Sequence, residues 1–434
     1  MAYRISELHA REILDSRGRP TIEVAMTLGD GAVGVAGVPS GASTGSREAV
    51  ELRDGDMARY GGAGVQRAVM KVEGEISDAL VGTTVDSLAA VDDTLIRLDG
   101  TPNKTRVGAN STTGVSMAAA RAMAASDGTP LYRWLFIDGA VRRLPVPHFN
   151  VINGGAHAQN ALDFQEFMLA PLGAPSFREA LRAGSEIYAS LRAALHGAGM
   201  STGLGDEGGF APELSTPEEA LTLLVDAIGA AGYEPGRDGV AIALDPAASE
   251  FRTAAGTYTV AGATLNSEQL VERYGEMVEQ YPIWSIEDGL AEEDWDGWRV
   301  LTDRLGDRVQ IVGDDLLVTN PELIDEAIRR RVANAVLIKV NQIGTVSETL
   351  DAIERGRAGG YAQMVSHRSG ETPDSFIADL AVACGCGQIK SGAPARGERV
   401  AKYNRLAAIE IELPEPVYGL PSAGETAGGR SEGR

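Results

Sequence analysis

Short apolar runs in the second half of the chain end in residues whose types can do chemistry. Asp245, Glu287 and Asp314 close three of these runs, and Lys339 closes a fourth within the apolar context VLIKV. Three carboxylates brought together would repel one another and raise each other's pKa unless a cation neutralised them. Since oxygen ligands without His or Cys suit a hard ion, these carboxylates predict a Mg²⁺ site.

The next runs along the chain carry positive charge. His367, Arg368 and Ser369 follow one run, and Lys390 closes another. A site with carboxylates on one side and cations on the other would hold an anionic substrate between a metal ion and basic residues. Lys339, in apolar surroundings and close to Mg²⁺ and other cations, is expected to have a lowered pKa and to act as a base.

These residues recur at the interval of one strand–helix unit. Glu287, Asp314, Lys339, Ser366 and Lys390 follow one another at 27, 25, 27 and 24 residues by subtraction. Repeated right-handed βα units close into a barrel, whose chemistry lies at the C-terminal ends of the strands. A single strand-end charge is usually a solvated loop residue, but five in succession favour a site. The apolar runs are VAIALD (240–245), IWSIED (283–288), VQIVGDD (309–315), AVLIKVN (335–341), AQMVSHRS (362–369) and GQIKSG (387–392).

The segments between the runs carry helix start signals. The stretch 216–219 reads TPEE, a capping box with proline at the first helical position. The stretch 319–321 reads TNP and opens a second helix, which ends in three arginines that favour the negative end of the helix dipole. Residues 141–420 are therefore predicted to form an α/β barrel.

Residues 1–140 lack the repeating strand–helix pattern and instead predict a smaller α+β domain. The stretch 21–38 predicts two strands around a Gly29-Asp30-Gly31 turn. Helices are expected in SREAVELRDGD (46–56) and in the run of small residues that ends at Ala125. At the other end of the chain, residues 421–434 are rich in Gly, Ser and Glu and predict a disordered tail.

The composition excludes several classes of partner. The 434 residues include 39 Lys and Arg against 61 Asp and Glu, so 39 − 61 gives a net charge of −22. Such a surface repels phosphate backbones and anionic lipids, which argues against nucleic-acid and membrane partners. Two cysteines, the lack of an apolar leader segment and the lack of a bilayer-length apolar run predict a soluble cytoplasmic protein.

Other polar clusters are weak signals when taken one at a time. Glu207 lies in the glycine-rich loop 205–209, which either presents a carboxyl group to a ligand or is a simple acidic turn. The segment SGASTG (40–45) is either a mobile, hydroxyl-bearing loop that covers a site or a linker. The stretches 153–157 and 163–167 are further polar clusters.

Together, the motifs of the chain resemble those of the enolase family, the phosphopyruvate hydratases of glycolysis. The motifs run in the family's order over nearly the whole chain. The resemblance implies a small N-terminal domain and a modified TIM-type (β/α)8 barrel whose second strand is antiparallel. It also implies that the protein forms at least a dimer. The motifs are DSRG (15–18), SGASTGSREA (40–49), NVINGG (150–155), DFQEFM (163–168), GDEGGFAPEL (205–214), SIEDGL (285–290), GDDLLVTN (313–320), LIKVNQIGT (337–345), SHRSGET (366–372), GQIKSGAPAR (387–396) and RVAKYN (399–404).

The resemblance also implies a reaction and the residues that perform it. It implies a lyase that uses two Mg²⁺ ions, one recruited with the substrate, to dehydrate 2-phosphoglycerate reversibly to phosphoenolpyruvate through an enediolate. Lys339 would take the C2 proton, and Glu207 would act as the general acid that helps to expel the C3 hydroxyl group. The implied metal ligands are Asp245, Glu287, Asp314 and, for the recruited ion, Ser43. The residues that would bind or surround the substrate are Gln165, His157, Glu166, Lys339, Arg368, Ser369 and Lys390.

The chain departs from the family's usual pattern in the loop around His157. Ala156 and Gln159 stand where the family often has a polar residue and an acid, and Pro246 follows the presumed ligand Asp245. None of these departures removes a presumed catalytic residue. They leave open a paralogue of specialised phosphonate metabolism, resembling carboxyphosphonoenolpyruvate synthase, and a non-catalytic binding protein on the same scaffold.

Overall fold

The computed structural model of the chain describes residues 2–42, 45–135, 137 and 139–421. An antiparallel four-stranded sheet with helices comes first, and a closed eight-stranded barrel follows it. The predicted fold class, an α/β barrel with a smaller N-terminal α+β domain, is therefore confirmed. The domain boundaries at residues 140 and 420 stay predictions. Ser43 and the tail from residue 422 onward lie outside the described residues.

The N-terminal sheet is built from β1 (Tyr3–Leu14), β2 (Pro20–Leu28), β3 (Val33–Gly37) and β4 (Thr84–Val85). In space the order is β3, β2, β1, β4, and β2 and β3 form the predicted hairpin. Strand β1 was not predicted from the sequence. Its pairing with β2 shifts register between Ile5 and Glu7, so the buried Ile5 and Leu8 are three residues apart, which is helical rather than strand spacing.

One face of this sheet is covered by a helix of small residues. Glycines on both elements allow the close approach, because a Cβ at Gly34 would lie 2.0 Å from the Ala118 carbonyl oxygen and one at Gly114 would lie 2.6 Å from Val24. The small-residue run ending near Ala125 is thus a helix, as predicted. The helices of this domain are α1 (Gln66–Lys71), α2 (Ser77–Leu80), α3 (Leu88–Asp99), α4 (Ala109–Ser126) and α5 (Leu131–Trp134).

The segment 46–56, predicted as a helix, is irregular, so that prediction is wrong. Its backbone donors bond to other parts of the chain. The Ala49 N–H donates to the Gln342 carbonyl at 2.8 Å, and the Val50 N–H donates to the Asn103 carbonyl at 2.8 Å. A helix would have used these donors within the segment, so tertiary contacts outweigh the local propensity here.

The barrel strands follow the predicted apolar runs. Strand β6 is antiparallel to both of its neighbours, β5 and β7, as the family resemblance implied. Strand β14 pairs with β5 and closes the barrel, while β8 and β9 form a hairpin outside it. The strands are β5 (Val146–Asn153), β6 (Glu166–Ala170), β7 (Ala241–Asp245), β8 (Tyr258–Val260), β9 (Ala263–Leu265), β10 (Ile283–Glu287), β11 (Gln310–Gly313), β12 (Ala335–Ile338), β13 (Ala362–Ser366) and β14 (Gly387–Lys390).

Both predicted helix starts in the barrel region are present. Thr216 forms the capping box of α7, and Asn320 caps α10 with Pro321 as its first residue. Within the described ranges, no helix is both long and apolar enough to cross a membrane. The helices are α6 (Phe177–Gly197), α7 (Pro217–Ala230), α8 (Ser267–Gln280), α9 (Trp295–Leu305), α10 (Pro321–Arg330), α11 (Val340–Ile343), α12 (Val346–Ala358), α13 (Phe376–Ala383) and α14 (Gly397–Glu412).

The N-terminal domain meets the barrel at Gly370, just after β13. Ser40 and Gly370 exchange backbone hydrogen bonds with N···O distances of 2.8 Å and 2.9 Å. No side chain fits at position 370, because a Cβ there would lie 2.3 Å from Asp15 Oδ2 and 2.6 Å from Arg17 Nη2. Glycine at this position therefore allows the first domain to approach the C-terminal ends of the barrel strands.

Replacement of Gly370 by Ala is expected to destabilise the protein by about 1–3 kcal/mol, the usual cost of over-packing a tight contact. Thermal denaturation followed by circular dichroism measures this effect. Gly229→Ala is the matched control, because Gly229 lies in α7 with no atom within 4 Å of an added Cβ. That variant should be at least as stable as wild type, since Ala favours helix. A Gly370→Ala protein with an unchanged midpoint would contradict the close-contact argument.

Candidate active site

A buried polar cavity lies at the C-terminal ends of the barrel strands. Its volume is small, about 20 Å³. Every predicted site residue lines it except Glu287, which contacts the lining through Lys390, and Ser43, which lies outside the described part of the chain. The lining residues are His157, Gln165, Glu166, Glu207, Asp245, Asp314, Lys339, Ser366, His367, Arg368, Ser369 and Lys390.

The barrel topology explains how distant residues meet in this cavity. Asp245, Glu287 and Lys390 are the last residues of β7, β10 and β14. Glu166 is the first residue of β6, and because β6 runs antiparallel, Glu166 pairs with Asp245 at the same end of the barrel. Parallel neighbours thus contribute their last residues, and the one antiparallel strand contributes its first.

The ammonium group of Lys390 lies among three carboxylates. Its Nζ is 2.7 Å from Glu287, 3.0 Å from Asp245 and 3.2 Å from Glu166. Burial alone would lower the pKa of Lys390, but these carboxylates outweigh burial and raise the pKa well above its usual value. Lys390 is therefore a permanent cation in this cavity.

The three predicted metal ligands come from neighbouring strands. Asp245, Glu287 and Asp314 lie on three adjacent strand ends, as predicted. They do not form one cluster, however. Among the described residues, two other groups of three His, Asp or Glu residues have ligand atoms that all lie within 4.8 Å of one another. These groups are His157 with Glu166 and Glu207, and Asp288 with Asp314 and Asp315.

The donor set nevertheless fits a hard divalent cation. Glu287 Oε2 is buried and has no hydrogen-bond partner in the described part of the chain. Burial and the neighbouring Asp245 raise the pKa of Glu287 well above its usual value, which is a cost that a bound cation would remove. The available donors are carboxylate oxygens, the ligands that Mg²⁺ prefers.

Lys339 follows β12, and its Nζ contacts Asp314 Oδ2. Burial lowers the pKa of Lys339, but the attraction of Asp314 and Glu287 outweighs it, so the pKa is raised above its usual value. The predicted lowering relied on a nearby Mg²⁺ as well as on other cations, so it stays a prediction for the metal-bound protein. The sequence showed the apolar neighbours of Lys339 but not the carboxylate that faces its ammonium group.

Glu207 lies in the glycine-rich loop and is fixed by neutral donors. Asn150 Nδ2 donates to Glu207 Oε2 at 2.9 Å, and His367 Nε2 lies 3.3 Å from the same oxygen. Burial lowers the pKa of His367 to about 3, so its ring is neutral near pH 7. Because Arg399 donates to His367 Nδ1 at 2.5 Å, the ring proton is on Nε2, which lies near Glu207.

Glu166 and Glu207 lie close together, and their pKa values shift in opposite directions. Burial and the charge of Glu207 raise the pKa of Glu166 well above its usual value. Burial would also raise the pKa of Glu207, but the facing His367 and His157 outweigh it, and the pKa falls well below its usual value. Two buried carboxyls this close titrate as a pair, and Glu166 is the member whose protonated form is favoured.

Glu48 and Gln342 connect the N-terminal domain to the cavity, and neither was predicted. Arg368 Nη1 and Nη2 donate to the two Glu48 carboxylate oxygens at 2.9 Å and 3.1 Å. Gln342 Nε2 lies 3.1 Å from Glu48 Oε1 and 2.8 Å from Asp314 Oδ1. One carboxylate of the first domain therefore orients Arg368 directly and Asp314 through Gln342.

Replacement of Glu48 by Ala is expected to cost about 3–5 kcal/mol, because it leaves the Arg368 charge buried without this counterion. Chemical denaturation measures the loss. Glu293→Ala is the control, because Glu293 is 64% exposed and pairs with Arg252 at the surface at 2.9 Å. That pair is worth about 0–1 kcal/mol. Equal losses in the two variants would show that the Glu48–Arg368 contact does not hold the domains together.

Asp288 is a further residue that the sequence reasoning did not select. Its two carboxylate oxygens accept the backbone N–H groups of Asp314 and Asp315, both at 2.9 Å. These bonds fix the turn after β11 that carries Asp314. The adjacent position of Asp288 and Glu287 at the end of β10 was the only available signal.

Known proteins share both parts of this architecture. The family model described as "Enolase, N-terminal domain" matches residues 5–135, and the one described as "Enolase, C-terminal TIM barrel domain" matches residues 141–421. A relative named Enolase, from Acidothermus cellulolyticus, is 58% identical over 409 residues, which cover 94% of each chain. The chain belongs to the enolase family. It is thus an enolase-type lyase rather than a non-catalytic protein on the enolase scaffold.

The departures from the usual enolase pattern lie outside the cavity. Ala156 and Gln159 are both exposed and are absent from the cavity lining, whereas His157 between them is buried in it. The enolase motifs that carry Lys339 and Glu207 are intact and meet in the lining.

Proposed function

We propose that the chain catalyses the reversible, Mg²⁺-dependent dehydration of 2-phosphoglycerate to phosphoenolpyruvate. The observation that supports this most strongly is that Lys339 and Glu207, from separate elements, line the same buried cavity. Proton removal and hydroxyl loss need a base and an acid on one substrate, and these two residues supply that pair. Arg368 and Lys390 in the same lining supply the positive charge that a phosphorylated carboxylic acid requires.

Lys339 is the proposed base for the C2 proton. It acts in its neutral form, so its contact with Asp314 has to be given up before the proton is taken. Removal of this proton gives an enediolate, which carries more negative charge than the substrate carboxylate. Mg²⁺ bound by Asp245, Glu287 and Asp314 would supply positive charge for the substrate carboxylate.

Glu207 is the proposed acid for the leaving hydroxyl group. We propose that the neighbouring Glu166, whose pKa is raised, supplies the proton that Glu207 delivers. His367 Nε2 lies 3.3 Å from Glu207 Oε2, close to the carboxylate left after proton transfer. Both carboxyl groups are buried, so this proton would be shielded from solvent.

The remaining lining residues are proposed to bind the substrate. Arg368 would hold the phosphate, and Lys390, Gln165 and Ser369 would hold other oxygens, with His157 beside them. Gln165 Oε1 is buried without a hydrogen-bond partner in the described part of the chain and is free to accept a substrate hydroxyl. Because Ala156 and Gln159 are not in the lining, we favour 2-phosphoglycerate over a phosphonate analogue.

A second metal ion and self-association are expected from the family resemblance, and a cytoplasmic location is expected from the composition. We propose that a second Mg²⁺ enters with the substrate at Ser43, that the protein acts in the cytoplasm, and that it forms a dimer or a larger homo-oligomer. No nucleic-acid or membrane partner is proposed, given the net charge of −22.

The function is tested by adding 2-phosphoglycerate and Mg²⁺ to the purified chain and following the ultraviolet absorbance of the enol product. We expect rapid, reversible formation of phosphoenolpyruvate. Exchange of the C2 proton without measurable dehydration would contradict this substrate assignment and favour a related phosphonate acid.

A further inference from the structure

A second cavity lies at the end of the barrel opposite the candidate active site. Its wall includes Trp284 near the start of β10, Gln310 at the start of β11 and Ala362 at the start of β13. Its volume is about 290 Å³. We call this space the basal cavity. This volume is close to the lower end of the range of small-molecule sites.

The basal cavity is strongly basic although the chain is acidic. Arg143, Arg237, Arg308 and Arg357 line it, and Asp307 is the one acidic residue among its described lining residues. Guanidinium groups keep their charge at all accessible pH values. Four of them around one space on a chain of net charge −22 repel one another and attract anions.

Two of these arginines are fixed by carbonyl groups rather than by acids, whereas Arg308 also pairs with Glu279 at 3.6 Å. Arg237 donates to the Arg308 carbonyl and lies 5.9 Å from the Trp284 ring centre. Arg357 donates to the Cys384 carbonyl, and its Nη1 is buried without a hydrogen-bond partner in the described part of the chain. Within the described ranges, neither Arg237 nor Arg357 has a carboxylate oxygen within 4.0 Å. Their orientation is therefore set while their charge stays available.

The neutral polar groups of the wall are already paired with each other. Gln310 and Gln388 exchange hydrogen bonds at 2.8 Å in both directions, and Gln310 also donates to Ser285 at 3.1 Å. Recognition in this cavity consequently falls to the guanidinium groups, with Trp284 and Tyr361 as flat apolar surface beside them.

We propose that the basal cavity is a binding site for a small polyanion that carries phosphate or carboxylate groups, held by Arg237, Arg308 and Arg357. Each guanidinium offers several N–H donors in a planar fork that matches both kinds of group. The site is separate from the candidate active site and does not depend on the proposed reaction.

The test is calorimetric titration of the metal-free, full-length protein with tripolyphosphate and, separately, with citrate. We expect wild type to bind at least one of these anions at the basal cavity and Arg237→Gln/Arg357→Gln to bind it at least tenfold more weakly. Binding of anions at the catalytic end is common to both proteins, so only the difference reports on this cavity. The stronger of the two probes identifies phosphate or carboxylate as the preferred group.

Arg97→Gln/Arg178→Gln is the matched control, because it removes the same charge from two exposed positions. It should bind like wild type. Arg308→Gln supplies a second test variant, since its side chain is 45% exposed and its loss leaves the core intact. Equal affinity of wild type, Arg237→Gln/Arg357→Gln and Arg308→Gln would overturn the proposal, as would an equal loss in the control. Turnover of 2-phosphoglycerate should be unchanged in every one of these variants.

Discussion

Replacement of Lys339 by Ala is expected to abolish both dehydration of 2-phosphoglycerate and exchange of its C2 proton with solvent deuterium. Each loss should be at least on the order of 10²–10⁴-fold, the usual contribution of a general base. Lys339 is the base in our proposal, and both events require the C2–H bond to break. Exchange is measured by proton magnetic resonance in deuterated water, and dehydration by ultraviolet absorbance.

Glu207→Gln separates the two steps. It should lose dehydration by a similar factor yet keep measurable exchange, because C2 deprotonation does not need the acid. The amide keeps the shape of the Glu207 side chain, so the neighbouring Asn150 and His367 stay in place. Exchange retained in Lys339→Ala would overturn the base assignment. Exchange lost in a folded Glu207→Gln protein would show that the two steps are not separable.

Removal of divalent metal is expected to reduce turnover to background, and Mg²⁺ should restore it. Glu287 Oε2 is buried without a hydrogen-bond partner among the described residues, and the nearby donors are all oxygens. Both features indicate a cation site, because Lys390 neutralises these carboxylates only in part. Asp314→Asn should raise the Mg²⁺ concentration for half-maximal activity at least tenfold. Full turnover in excess EDTA would contradict the assignment of a metal site.

Asp303→Asn is the control for the metal prediction. Asp303 is 61% exposed and pairs with the surface residue Arg299 at 3.7 Å. The substitution Asp303→Asn changes the charge of the chain by the same amount as Asp314→Asn. The Mg²⁺ requirement of the Asp303→Asn protein should match that of wild type. Direct calorimetric titration with Mg²⁺ distinguishes a lost metal site from a damaged acid or base.

Six of the eight barrel strands, β7 and β10 to β14, were predictable because each carries its own signal. Buried parallel strands read as apolar runs, and the polar residue that ends each run marks the catalytic end of the barrel. Strand β1 and the segment 46–56 were not predictable in this way. A register shift near Ile5 disguised the first, and hydrogen bonds to Gln342 and Asn103 decided the second.

Most residues of the cavity lining were predictable, but the contacts between them were not. Strand-end position selected Lys339 and Asp314, whereas the contact between them exists only after folding and raises the pKa of Lys339. Glu48 was missed because it enters from the other domain. Its partner Arg368 is 320 positions away in the sequence, so no local pattern could reveal the pair.

The closing strand of the barrel also dictates the order in which the protein matures during synthesis. Val146 of β5 pairs with Gln388 of β14, which are 388 − 146 = 242 positions apart. The edge of β5 therefore stays open on the ribosome until almost the whole chain has emerged. Lys390 arrives on that last strand, so the carboxylates of Asp245 and Glu287 lack their counterion until the barrel closes. A nascent or truncated chain cannot assemble the catalytic cavity early, and activity appears only with the completed ring of strands.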